Sequence, residues 1–218
     1  MNKTEAGMPR SSLTILAAAS LAGTASARNI IINGDFETNN CANLNRLNCD
    51  NTTFGQYMPS AAAFGPAEEL DIYTGTDWAP PAQHGKWSIG MHQRVTVGSD
   101  AFSLTLSQQV VAGGLYKVEF YGLRGTVTGP VRVGLSSSAT SFGTLVAAGT
   151  PTSATVWDHL VSEFIAPVNA NYLTLSTSAS ADNMYVQIDN VSLISIPAPA
   201  ATLPLAGLLA LGRRRRNA

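Results

Sequence analysis

The chain has 218 residues, with 13 Lys and Arg against 14 Asp and Glu, and only 12% of its side chains are charged. Setting aside Lys3, Arg10 and Arg213–Arg216, and Glu5 among the acids, leaves seven basic and thirteen acidic groups between residues 28 and 212. Such a body lacks the basic surface that binding to a phosphate backbone demands, which excludes nucleic acid as a partner.

The first 27 residues place Lys3 and Arg10 before an uncharged apolar run, Leu13–Gly23, and then Ala25-Ser26-Ala27. Basic, apolar, then small-x-small is the layout of a secretory signal peptide. The mature chain then starts near Arg28, and residues 28–195 are long enough for one domain with a proper core. Cys41 and Cys49 stand in the polar run "NNCANLNRLNCDN". In an exported chain they are expected to form a local disulfide, since no further Cys or His stands nearby for a metal site.

From there the pattern is β almost throughout. "NIII" opens a strand, "LDIYTG" is a short one, and "KWSIGMHQRVTV" alternates in part. "AFSLTLSQQVV" puts Phe102, Leu104 and Leu106 on one face. "GGLYKVEFYGLRG" sets Leu115, Lys117 and Glu119 against Tyr116, Val118 and Phe120, after a Gly-Gly turn. "GPVRVGLSSS", "GTLVAAG", "VWDHLVSEFIAP", "NYLTLSTSA" and "MYVQIDNVSLISI" follow as further strands. No helix longer than a turn or two is required, and "PSAAAFGPAEEL" has room for one short turn within a long loop. About nine or ten short strands divided by Gly, Pro, Asn and Ser turns predict an all-β sandwich or jelly roll. A signal-peptide helix at the N-terminus and a short apolar helix at the C-terminus complete the expectation.

No catalytic set assembles. "GLSSSATSFG" lacks the Gly-x-Ser-x-Gly elbow of a serine nucleophile. His84, His92 and His159 have no metal-ligand spacing and read as surface or loop residues. Glu68, Glu69 and Asp71 read as solvated loop acids rather than a glycosidase pair. Non-catalytic binding is the better class, because sugars stack their apolar faces on aromatic rings while a few polar groups reach their hydroxyls. Trp78 in "TGTDWAPP", beside Asp77 and two prolines, is the candidate, with Tyr73 near it in sequence. It is either a ligand contact or an edge-packing residue. Trp87 and Trp157 are expected in the core.

Three stretches in order resemble the galactose-binding-like jelly-roll domains, the fold of many carbohydrate-binding modules. They are "NIIINGDFE" at 29–37, "LSQQVVAGGLYKVEFYGLRG" at 106–125 and "MYVQIDNVSLIS" at 184–195. The segment "LDIYTGTDWAPPAQHGKWSIGM" is similar to the Trp-containing part of an exported bacterial subgroup with C-terminal sorting tails. The resemblance implies a structural Ca²⁺ held by Glu37 and Asp189, with Asp35 a weaker ligand. Hard Ca²⁺ takes carboxylate and carbonyl oxygens. Asn190 stands where the family commonly has a second Asp. Glu37 capping a loop and Asp189 bonding backbone is the alternative.

Residues 196–218 resemble the PEP-CTERM sorting tails of the Val-Pro-Leu-Pro-Ala kind. Ile196, Pro197, Ala198, Pro199 and Ala200 precede an apolar stretch and Arg213, Arg214, Arg215 and Arg216. A spanning helix needs about 20 apolar residues, but Leu203–Gly212 gives only ten without a charge, and even from Pro197 there are sixteen. The resemblance implies an exosortase-like membrane protease as partner and transient inner-membrane contact, with the arginines held in the cytoplasm. A plain anchor or a coincidental oily tail is the other reading. The expected destination is the surface or extracellular matrix of a Gram-negative bacterium. There the chain binds exopolysaccharide, or else serves as a structural protein without a sugar site.

Overall fold

The computed structural model describes residues 28–75, 80–178 and 183–197. In chain order the elements are β1 (Arg46–Cys49), α1 (Asn51–Tyr57), β2 (Ala61–Ala63), β3 (Leu70–Tyr73), β4 (Ser88–Arg94) and β5 (Gly98–Ser99). They continue with β6 (Ala101–Val110), β7 (Leu115–Arg124), β8 (Val131–Ser136), β9 (Thr144–Gly149), β10 (Asp158–Ile165), β11 (Ala170–Thr177) and β12 (Met184–Ile196). Residues 1–27, read from the sequence as a signal peptide, and the tail beyond Pro197 lie outside the described residues. Among those described, no helix is long and apolar enough to cross a membrane.

Two sheets face each other. One runs β1-β3-β4-β12-β7-β10, with β5 added to β4; the other runs β2-β6-β11-β8-β9. The long strands pair in nested fashion: β4 with β12, β6 with β11, β7 with β10, and β8 with β9, all antiparallel. An antiparallel ribbon folded back on itself and rolled gives this order, which makes the fold a jelly-roll β-sandwich.

Period-two patterning explains which faces meet. On β7, Tyr116, Val118 and Phe120 are buried; on β6, so are Phe102, Leu104 and Leu106. These join Ile89, Met91, Leu173, Leu175, Val186 and Ile188 in one core between the sheets. Helix α1 starts where the Asp50 side chain accepts the N–H groups of Thr52 and Thr53, and it seats Phe54 against Phe102 at 5.7 Å.

The opening segment departs from expectation. "NIII" makes only isolated bridges, Asn29 to Ile194 and Ile31 to Leu106. The chain then turns at Asn33 and lies on β12 where that strand bulges between Asp189 and Ser192. Gly34 is required there, since a Cβ would sit 2.0 Å from the Val191 carbonyl oxygen. Asn190 takes a positive φ of 49° at the bulge, which turns the end of β12 toward this segment. Two further elements differ: the alanines of "PSAAAF" form β2 rather than a helical turn, and the cysteine loop contains β1.

The expected disulfide is not formed. Cys41 and Cys49 are both free and buried, packed in the core as small apolar side chains. Burial pushes the Cys41 thiol above its ordinary value. The Cys49 thiol is raised to about 11, first by burial and then by the Asp71 charge.

Candidate functional site

The outer face of the larger sheet carries the polar chemistry. On β3, Leu70 and Ile72 point into the core, so Asp71 and Tyr73 point out, yet both are buried. They are covered from β12. The Tyr185 hydroxyl lies 2.6 Å from Asp71 Oδ2 and 2.7 Å from the Tyr73 hydroxyl oxygen, and Tyr73 donates to the same Oδ2 at 2.8 Å. The N–H of Asn48 donates to Asp71 Oδ1 at 2.8 Å. Three donors therefore satisfy a carboxylate that is only 7% exposed. Burial pushes both phenols well above their ordinary range, so both remain protonated donors.

Gly90 on β4 makes this cluster possible. A Cβ there would stand 1.8 Å from the Tyr185 hydroxyl and 2.9 Å from the Tyr73 ring. With no side chain at Gly90, the Tyr185 ring can cross β4 and reach β3.

Above the cluster opens a cavity of about 710 Å³, walled by Asp71, Tyr73, His92, Arg124, Tyr185 and Gln187. His92 Nδ1 and Arg94 Nε both meet Glu69 Oε2, at 2.9 and 2.6 Å. The Arg94 hydrogen bond, followed by the Arg94 and His92 charges, holds the Glu69 carboxyl below its usual range. Gln187 is 9% exposed, and its Oε1 has no hydrogen-bond partner. An orphaned buried acceptor is costly, and this one belongs to a residue that lines an open cavity.

A second cavity of about 440 Å³ adjoins through Pro80, which lines both. Its walls include Pro81, Gln83, Tyr121, Val156 and Trp157. Trp157 is therefore not in the core; it precedes β10, and its indole N–H donates to the Pro81 carbonyl at 3.0 Å. Beside it Tyr121 stacks on His159, with ring centroids 4.5 Å apart. His159 and Lys117 both pair with Glu119. Trp87 is in the core as expected, 5% exposed.

The predicted site residues separate into groups. Tyr73 lines the first cavity, whereas Trp78 and Asp77 lie outside the described residues. Glu37 and Asp189 do converge, on the loop 83–87. Glu37 Oε1 accepts the N–H groups of Lys86 and Trp87 at 2.6 and 2.8 Å. Asp189 Oδ2 accepts the N–H of His84 at 2.9 Å, and its Oδ1 that of Asn190 at 2.6 Å. Asp189 is fully buried, and its carboxyl is pushed up to about 7 by desolvation, with the Glu37 charge adding to the rise. Each of these contacts is with a backbone N–H, the loop-capping alternative read from the sequence; a hard cation would instead need carboxylate and carbonyl oxygens turned toward a common centre. Among the described residues, no cluster of three or more His, Cys, Asp or Glu surrounds them, so main-chain oxygens would complete any coordination. Asp35 is engaged locally, accepting the Glu37 N–H at 3.4 Å. Pro197 is exposed at the end of the described chain; Pro199, Ala200 and Arg213–Arg216 lie beyond it.

Sequence reasoning missed Gln187, Arg124, Tyr185 and His92 as cavity residues. The signal was present in β12, where Tyr185, Gln187 and Asp189 recur with period two opposite an apolar face.

No protein-family model matches the chain, and no curated protein matches it. Among solved structures, TmCBM61 in complex with β-1,4-galactotriose is similar at 17% identity, over 78% of this chain and 99% of that one, with a TM-score of 0.46. The CBM22-1 xylan-binding domain of Paenibacillus barcinonensis Xyn10C is similar at 15% identity, over 72% of this chain and 96% of that one, with a TM-score of 0.41. The enzymatically active domain of bacteriophage CBA120 tailspike protein 4 is similar at 15% identity, over 77% of this chain but 21% of that one, with a TM-score of 0.46. Likeness at this level assigns no ligand to the chain.

Proposed function

We propose that this is an exported, non-catalytic carbohydrate-binding protein whose glycan lies over the outer face of the larger sheet. The observation that carries the reading is Gln187, a lining residue of the cavity it shares with Tyr73, Tyr185 and His92, whose buried Oε1 has no hydrogen-bond partner. A concave site with aromatic walls and a few oriented polar groups suits a sugar ring, and a sugar hydroxyl supplies the donor that Gln187 Oε1 lacks once its amide turns into the cavity. The second cavity, with Trp157 and Tyr121, extends the surface past Pro80 for a chain of more than one sugar.

Glycan-array binding of the purified domain tests this, with Gln187→Met, Trp157→Ala and Trp78→Ala as variants. Saturable binding weakened by Gln187→Met supports the site. Binding lost only in Trp78→Ala moves it to the loop at 76–79. No binding to any glycan leaves a structural surface protein.

Export and sorting rest on the order of basic, apolar and small residues at the N-terminus, and on the Pro-Ala, apolar and Arg succession at the C-terminus. In this proposal an exosortase-like membrane protease reads and removes the tail. Intact mass of the exported protein tests it: a C-terminus between Pro199 and Thr202 supports sorting, and retained Arg213–Arg216 supports an anchor. Structural Ca²⁺ at Glu37 and Asp189 belongs to the same proposal, supported by their convergence and the burial of Asp189.

A further inference from the structure

Arg124, at the end of β7, differs from the other cations that line the first cavity and from those paired beside the second. Arg94 and His92 share Glu69, and Lys117 and His159 share Glu119. Arg124 donates instead to neutral carbonyls, from Nε to Thr152 at 2.6 Å and from Nη1 to Gly125 at 3.0 Å. Among the described residues, no carboxylate lies within ion-pair distance of it. These two bonds hold the guanidinium at the cavity wall with its other N–H groups unused.

The carboxylate in the same wall is Asp71, and it is already occupied. Its Oδ1 accepts from Asn48, and its Oδ2 meets the Tyr73 and Tyr185 hydroxyls. What the cavity still offers is therefore a cationic fork on one side and, on another, the amide of Gln187, whose Oε1 is buried without a partner and must turn outward to meet a ligand. A neutral sugar uses the acceptor and leaves the fork's charge uncompensated. A uronic acid uses both.

We infer that the glycan is acidic: a uronate residue whose carboxylate pairs with Arg124 while a hydroxyl donates to Gln187. This inference rests on the sugar-binding reading above. Arginine suits the task better than lysine, because its planar fork meets a carboxylate through two parallel hydrogen bonds. The acidic excess of the body does not oppose it, since charges farther than about 8 Å are largely screened at physiological salt.

The test compares each acidic polymer with its own neutral form. Polygalacturonate, polyglucuronate and alginate are each measured by affinity electrophoresis before and after chemical reduction of their carboxyls to alcohols. The wild-type protein is expected to bind at least one acidic polymer about tenfold or more tightly than its reduced form, as loss of a charge-assisted pair implies. Arg124→Gln abolishes that preference and Arg124→Lys keeps part of it, with melting temperature monitoring the fold in both. Equal binding of acid and reduced forms, or binding of neutral glycans alone, overturns the inference and leaves the sugar-binding reading standing. Binding to no glycan at all, acidic or neutral, overturns that reading and this inference with it.

Discussion

Glu37 and Asp189, from the opening segment and the last strand, grip the same loop through the N–H groups of Lys86, Trp87 and His84. The loop is tied down by two anions, one buried. Asp189 is raised to about 7 and Asp100 to about 6, both chiefly by desolvation. When the native state raises an acid's pKa, the stability it contributes is complete below the unfolded value near 4 and is lost as pH climbs through the raised value. Glu69 and Glu119, held low first by hydrogen bonds from Arg94 and Lys117, act in the opposite sense and lose their contribution only as pH falls below about 4. Cation-free protein is therefore expected to melt highest near pH 4 to 5 and lower at pH 7.5. Calorimetry across that range with chelator checks this. At pH 7.5, Ca²⁺ should raise the melting temperature and Glu37→Gln should blunt the rise; an unchanged melting temperature sinks the calcium proposal.

Gln187→Met exchanges an orphaned acceptor for an apolar side chain of similar length. Removing an unsatisfied buried polar atom is worth about 1 kcal/mol or more, so the variant should melt higher while binding sugar more weakly. Stability and affinity moving in opposite directions is the signature of an atom kept for a ligand. A variant that loses both would make Gln187 structural.

Most of the sandwich was legible because period-two alternation survives wherever one face is dry. β6, β7 and β12 show it, and the residues they bury follow from it. β1 stayed hidden because its pairing with β3 is irregular and its residues are those of a polar loop. β2 is three alanines, which carry no strand preference of their own. The site was legible only in part. Asp71, Gly90, Gln187 and Leu123 form one row across β3, β4, β12 and β7, an adjacency set by sheet order and invisible in the linear chain. Trp157 escaped because it sits one residue ahead of β10, where alternation does not yet govern which way a side chain points.

Gly90→Ala is a small change with a large expected effect. The added methyl would collide with the Tyr185 hydroxyl, and overpacking of this kind costs roughly 1–3 kcal/mol. Displacing Tyr185 also strips Asp71 of a donor, so the cavity floor is lost and sugar binding should fall below detection. Denaturant melts and affinity electrophoresis on one preparation check both effects. Wild-type binding in Gly90→Ala would show that the hydroxyl cluster does not shape the site.

The two cysteines give a chemical readout of packing. Buried, raised-pKa thiols react slowly, so native protein should resist alkylation at pH 8 and take up label at both Cys41 and Cys49 once unfolded. If unfolded, unreduced protein takes up no label, the two thiols have joined in a disulfide after all.

The nested pairing of strands has a temporal consequence. β12 is the last element of the described chain, and it lies at the centre of its sheet between β4 and β7, while Asn29 bridges to Ile194 near its end. Until β12 arrives, the larger sheet is two separate pieces, each with a raw edge. A chain threaded across a membrane from its N-terminus must wait, unclosed, until nearly all of it has passed. In the proposed export, closure and the emergence of the segment that follows Ile196 thus become nearly one event, and a protease acting on that segment would meet a sandwich that has only just shut.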